Sequence, residues 1–204
     1  MDPREVSADP TGQFLYVASH AATGHEITAY QFGDGAFLNA GLSVTAPGTP
    51  CAPSFSTTGE TAYVALSGSK LILPYSVDSV SGELAPLASG SAPTELRPTA
   101  VAMHPGGRFA YGAVPGTSLD SGHIALFIIN PETGGLTKIG EAAAGLSPND
   151  LVVAPDGETL YAANQDGDDV TVFSIDGFSG ALEFLEQPVV GLTPESLVVT
   201  RRID

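Results

Sequence analysis

The densest group of chemistry-bearing residues is Asn164-Gln165-Asp166-Gly167-Asp168-Asp169, which puts three carboxylates within four residues. Carboxylates at that density are what a hard cation such as Ca²⁺ takes as ligands. The spacing fails the EF-hand pattern, because Asp169 stands where that loop needs Gly and Ile175 where it needs a bidentate Glu. A polar turn is therefore the first reading of Asp166, Asp168 and Asp169, with a metal role as the alternative. His20 and His25 lie five apart and His123 is distant, so a zinc site would need the fold to gather them. Cys51 is the only cysteine, which excludes an internal disulfide and a cysteine zinc cluster. The sequence has no Gly-x-Ser-x-Gly elbow, Walker loop or dinucleotide fingerprint, and nothing in it calls for a cofactor.

Whatever these residues do, they are positioned by a repeat. Each copy opens with a proline, places a glycine nine residues on and a tyrosine four after that: Pro3/Gly12/Tyr16, Pro50/Gly59/Tyr63, Pro98/Gly107/Tyr111 and Pro148/Gly157/Tyr161. The steps are 47, 48 and 50 residues, and a fifth opening begins at Pro194. Units of that period do not bury their apolar faces alone and must stack. Positions three and five after the proline are mostly apolar (Val6/Ala8, Pro53/Phe55, Val101/Met103, Leu151/Val153, Leu197/Val199), the alternation of a strand with one buried face. Pro- and Gly-containing turns such as Asp9–Gly12 and His104–Gly107 then lead into second strands at Phe14–Ala18, Thr61–Ala65, Phe109–Ala113 and Thr159–Ala163. Third strands are expected at Ile27–Phe32, Leu71–Val77, Ile124–Ile129 and Val170–Ile175, and turns such as Ser81-Gly82-Glu83-Leu84 lead to a fourth. His104 falls in a hairpin and reads as structural.

The unit is a four-stranded meander, the size of a β-propeller blade. The expectation is an all-β single domain of antiparallel blades at 3–49, 50–97, 98–147 and 148–193, with an extra inner strand in 194–204. Seven basic residues against 23 acidic ones give a formal charge of −16. Such a surface repels phosphate backbones and anionic lipid, which argues against nucleic-acid or membrane-surface partners. No apolar run approaches the length of a membrane span, and the first residues lack the basic start and apolar stretch of a signal peptide. As written the chain reads as cytoplasmic; a truncated start would leave export open.

The segments DPTGQFLYVAS (9–19), HPGGRFAYGA (104–113), APDGETLYAANQ (154–165) and VTVFSIDGFSGALEF (170–184) resemble the lactonase-type β-propeller family, whose known members include 6-phosphogluconolactonases. They are also similar to YVTN-type surface repeats. The resemblance covers essentially the whole chain and rests on turn and core residues. It implies seven blades, which at this period take about 330 residues. It also implies that a C-terminal strand completes a blade begun by the N-terminus. Here the first copy has its own inner strand at Val6–Ala8, so Glu195–Thr200 has no vacancy to fill. Three arrangements stay open: part of a longer propeller, assembly with a second copy, or four blades closed on themselves.

The resemblance further implies that a lactone ligand sits on the channel face, at the inner-strand openings and the loops after the second strands. The openings carry Arg4, Cys51, Glu95, Arg97, Asn149 and Glu195; the loops carry His20, His25, Lys70, Asp120, His123, Asn164, Gln165, Asp166, Asp168 and Asp169. Lactone hydrolysis needs a base for water and a donor for the oxyanion. Family members are expected to use a His after a Pro-Arg opening, a Glu following an Asn after the second strand, and further arginines. Arg4 matches the first of these motifs and Asn164 the asparagine, while Pro50-Cys51, Pro98-Thr99, Pro148-Asn149 and Pro194-Glu195 depart from it. His20 with Arg4 is the candidate catalytic pair, and Arg4, His20, Asn149, Asn164 and Gln165 are the candidate ligand-binding set. A phosphosugar needs several converging cations. Only Arg4, Lys70 and Arg97 lie on that face, which argues against phosphogluconolactonase activity in this chain alone. The first expectation is a blade module that binds a small molecule or protein. A lactone hydrolase completed by further blades or a partner chain is the alternative, and an exported surface repeat protein a third.

Overall fold

The computed structural model describes residues 2–21, 24–33, 36–37, 41–87, 90–117 and 120–200. It begins with β1 (Asp2–Ala8), β2 (Phe14–Ala21) and β3 (Gly24–Gly33), whose outer neighbours are the short β4 (Ala36–Phe37) and β5 (Leu42–Thr45). The second blade is β6 (Ser54–Phe55), β7 (Thr61–Leu66), β8 (Leu71–Val77), β9 (Leu84–Pro86) and β10 (Ala92–Pro93). The third is β11 (Ala100–Met103), β12 (Phe109–Val114), β13 (His123–Ile129) and β14 (Leu136–Ala143). The fourth is β15 (Pro148–Val153), β16 (Thr159–Asn164), β17 (Asp169–Ile175) and β18 (Leu182–Glu186). All four sheets are antiparallel meanders, and the second and third strands fall where the repeat puts them, lengthened by a few residues.

The hairpins form locally. In the first, the Asp9 carboxylate accepts the amides of Phe14 (2.8 Å) and Thr11 (3.1 Å), while Gly12 N–H donates to Asp9 O at 3.0 Å. His104 does the same work in the third blade and also reaches the fourth. Its Nδ1 accepts the Gly106 amide at 2.9 Å, which leaves Nε2 as the donor to Gly157 O at 3.0 Å. The outer edge of the second blade splits at Pro74. Its carbonyl accepts Leu87 N–H at 2.8 Å, so its absent N–H faces the same outer side and the ladder breaks between β9 and β10.

Three apolar seams join the blades. Phe14, Tyr16, Ile27 and Ala29 pack on Ala62, Val64, Leu73 and Tyr75; Tyr63, Ala65 and Ile72 pack on Ala110, Ala125 and Phe127; Tyr111, Ala113, Ile124 and Leu126 pack on Leu160, Ala162 and Phe173. The repeat tyrosine fastens each seam. Tyr16 donates to Gly82 O (2.9 Å), Tyr63 to Gly134 O (3.0 Å) and Tyr111 to Gly180 O (3.1 Å), always to the turn before the next blade's fourth strand. Only glycine suits that turn. At Gly82 and Gly180 φ is +74°, and an added Cβ would lie 2.5 and 2.6 Å from the rings of Phe14 and Phe109.

No seam joins the fourth blade to the first among the described residues, so the four blades form an arc and do not close on themselves. The one-sided burial expected of Val6 and Ala8 is not met. β1 is almost wholly exposed, and Pro3, Val6, Leu15, Val17, Tyr30 and Phe37 line an open apolar groove where a preceding blade would pack. The expected inner strand at Glu195–Thr200 forms no ladder among the described residues. Its alternation persists: Leu197 and Val199 are half-buried and Val198 is 84% exposed.

Tyr111→Phe, which leaves Gly180 O without its donor, should cost about 1–3 kcal/mol in urea unfolding. Gly180→Ala should cost more, and Tyr161→Phe, whose hydroxyl makes no such bond among the described residues, should stay within about 0.5 kcal/mol. Equal losses for the two tyrosines would show that the hydroxyl-to-turn bonds do not hold the seams.

Candidate functional site

The inner strands run side by side along the concave side of the arc, and a cavity of about 610 Å³ opens between them. All five repeat openings contribute. The first residue after the proline supplies Arg4, Thr99, Asn149 and Glu195, and the second supplies Glu5, Ala52, Ala100, Asp150 and Ser196; Val6 and Gln165 complete the wall. The volume falls within the range of roughly 300–1,000 Å³ typical of small-molecule sites.

The same residues tie the first inner strand to the second opening, the third to the fourth, and the fourth to the last segment. Glu5 Oε2 accepts Ala52 N–H at 2.6 Å and Asp150 Oδ2 accepts Leu197 N–H at 2.7 Å. Thr99 Oγ1 donates to Pro148 O at 2.9 Å and Asn149 Nδ2 to Glu195 O at 3.3 Å. The segment 194–200 is thus docked against the fourth blade as an inner strand would be, without a sheet of its own.

Electrostatically the cavity is acidic. Desolvation of the Glu5 carboxyl within the cavity raises its pKa above the ordinary 4.5; the Ala52 amide opposes this and the Asp150 charge adds to it. Burial, then Glu5 and Asp150, push the Cys51 thiol up as well, so Cys51 stays protonated and is no nucleophile. Among the described residues Arg4 is the only cation in the wall, and its guanidinium pairs with Asp2 at 3.2 Å, both side chains being largely exposed.

Of the residues singled out in the sequence, Arg4, Asn149, Gln165 and Glu195 meet at the cavity. His20 does not line it. It stands opposite Asp2 and His25 in the first sheet, with the two imidazoles 4.7 Å apart between centroids. Asn164 is fully buried and does not line the cavity either. Its amide donates to Asp169 Oδ1 (2.6 Å) and Thr171 Oγ1 (2.7 Å), a network that stiffens the start of β17. The three loop carboxylates diverge: Asp166 accepts from Ser147 Oγ, Asp168 from Thr193 N–H at 2.8 Å, and Asp169 also from Gln187 Nε2 at 2.8 Å. Among the described residues no three His, Cys, Asp or Glu side chains are grouped to hold a metal. Lys70, Glu95, Arg97, Asp120 and His123 lie outside the lining.

Sequence reasoning stopped at the first residue after each proline and passed over Glu5 and Asp150. The signal available was the repeat register. The second residue after the proline lines the same wall in every copy, and two of the five residues at that place are carboxylates.

The family model for the seven-bladed β-propeller lactonases matches residues 55–199. The chain belongs to that family. A 6-phosphogluconolactonase of Erwinia tasmaniensis is 25% identical over 188 residues, covering 89% of this chain and 55% of the relative. One from Formosa agariphila is 35% identical over 89 residues, 43% of this chain and 25% of the relative. The structure of a periplasmic gluconolactonase of Pseudomonas aeruginosa superposes with a TM-score of 0.71 at 24% identity, covering 92% of this chain and 54% of that one. The chain therefore spans about half, or less, of the length of the lactonase proteins it matches. Among the described residues no helix is long and apolar enough to cross a membrane.

Because the Glu5 pKa is raised on folding, the folded state binds more protons than the unfolded chain above pH 4.5, and stability falls as pH rises from there through the folded value. Glu5→Gln should remove that decline, so that its stability advantage over the parent protein grows between pH 4.5 and 7 in urea titrations. A constant difference would contradict the assigned desolvation of Glu5. Asn164→Ala, by contrast, should lower stability by about 1–3 kcal/mol.

Proposed function

We propose that the cavity at the inner strands is a lactone site and that this chain supplies one wall of a lactone-hydrolysing channel. The observation that carries this is the convergence of all five repeat openings on one cavity that holds Glu5, Arg4, Asn149 and Gln165 together. Membership of the lactonase family and the activity named for the Erwinia relative support it.

In this reading water attacks the lactone carbonyl and gives its proton to the Glu5 carboxylate. The amides of Asn149 and Gln165 and the guanidinium of Arg4 donate to the oxyanion. Collapse breaks the ring C–O bond, and protonated Glu5 returns the proton to the departing alkoxide, so the carboxylate is regenerated. A raised carboxyl pKa suits both halves of that exchange. His20 remains the alternative base if its strand end turns toward the cavity. Further blades, from the same polypeptide or a second copy, would cover the apolar groove of the first blade and close the channel.

A second reading, a binding module without turnover, is favoured by one observation. Glu5, Asp150 and Asn149 already hold neighbouring inner strands together, which fixes their geometry for recognition as well as for chemistry.

Ring opening of glucono-δ-lactone, followed by pH-stat, tests the enzyme reading. Glu5→Gln should lower kcat/KM by about 10²-fold or more and Arg4→Ala by about 10-fold, with His20→Ala within a few-fold. Binding with no turnover above the spontaneous rate would select the second reading.

A further inference from the structure

We infer that His20 and His25 form a two-histidine chelate for a borderline divalent metal ion, Cu²⁺ most tightly, at the end of the seam between the first two blades. The pair does not line the cavity at the inner strands, so this inference stands apart from the lactone reading.

The ladder between β2 and β3 sets the two residues directly opposite one another, one pair before its last, Ala21 with Gly24. Opposite residues in an antiparallel pair share a face, with Cβ atoms about 4.5–5.5 Å apart. By the two-residue period of a strand, that face is the one on which Tyr16, Ile27 and Ala29 meet the second blade. The imidazoles therefore lie over the end of a packed seam, and both Nδ1 atoms are buried. Neither Nδ1 has a hydrogen-bond partner among the described residues. Two buried, unpartnered ring nitrogens side by side are costly, and a shared cation satisfies both lone pairs at once.

The spacing suits such an ion. An imidazole nitrogen binds it at about 2.0–2.1 Å, which puts the ring centre about 3.2 Å from the metal. Two such rings at nitrogen–metal–nitrogen angles of about 90–109° then have centres about 4.5–5.2 Å apart. The observed separation is 4.7 Å, and the 36° between the ring planes is not that of a parallel stack. The other two histidines are engaged elsewhere: His104 uses both ring nitrogens at its hairpin and on Gly157, and His123 faces Glu141 at 3.8 Å. Asp2 stands opposite His20 on its other side, but its carboxylate is paired with Arg4, so the protein supplies two ligands and water the rest. Two imidazoles with neither a thiolate nor an oxygen cage favour Cu²⁺, then Ni²⁺ and Zn²⁺, over Ca²⁺ or Mg²⁺. Because the strands already hold the rings together, the second imidazole binds as an intramolecular ligand.

Calorimetric titration of the whole chain with CuCl₂, in a buffer holding excess Ca²⁺ to occupy surface carboxylates, tests the assignment. One tight site per chain is expected, and electron paramagnetic resonance of the complex should show coupling to two imidazole nitrogens. His20→Gln and His25→Gln should each weaken binding by about tenfold or more, while His123→Gln keeps the parent affinity. Circular dichroism checks that the variants retain the sheets. Coupling to fewer than two imidazole nitrogens in the parent protein would overturn the inference however the variants fold. So would an affinity unchanged in both His20→Gln and His25→Gln, or a loss in His123→Gln as large as theirs.

Discussion

Each blade of this protein hides its apolar face on the next, and every other feature follows from that stacking. A single meander of about 47 residues has two broad faces and no way to cover both. The repeat tyrosine shows how the covering is made specific. Its ring fills the seam, and its hydroxyl crosses to a carbonyl in the neighbouring blade's last turn. That turn must be glycine, since it is left-handed and pressed against the preceding blade's second strand. Tyrosine and glycine are thus two halves of one contact between different repeats, not two independent motifs within one.

Stacking around an arc forces the inner strands together, and this makes a site out of residues that no local pattern connects. Arg4 and Glu195 are separated by nearly the whole chain yet line one cavity. The acids there serve the architecture as well as the site. Glu5 and Asp150 hold the amides of the next inner strand, so they are oriented before any ligand arrives. Such preorganisation is what recognition and catalysis both need. It also explains how this strongly acidic chain holds Glu5 and Asp150 at its centre: each of the two accepts a backbone N–H that neutralises part of its charge.

Much of the fold was legible in the sequence. The second and third strands, the hairpin turns and the structural role of His104 follow from period, parity and turn chemistry, all local properties. The site was legible only in part. Arg4, Asn149, Glu195 and Gln165 could be found because they follow a proline or a second strand. Asn164 looked equivalent to Gln165 from its place in the loop, but it is the last residue of β16 and turns inward to Asp169 and Thr171, while Gln165 in the turn that follows reaches the cavity. The cluster of three aspartates looked like one site and is three separate contacts.

The period and the Pro-Gly-Tyr register by themselves determined four antiparallel meanders, because hairpins and one-sided burial are dictated by neighbours in the chain. Only the tertiary structure decided that the blades form an open arc, that the last segment docks without pairing, and that Glu5 and Asp150 belong to the cavity. Those outcomes depend on which face meets which across some 47 residues of intervening chain. Local sequence has no term for such a meeting until the strands are placed side by side.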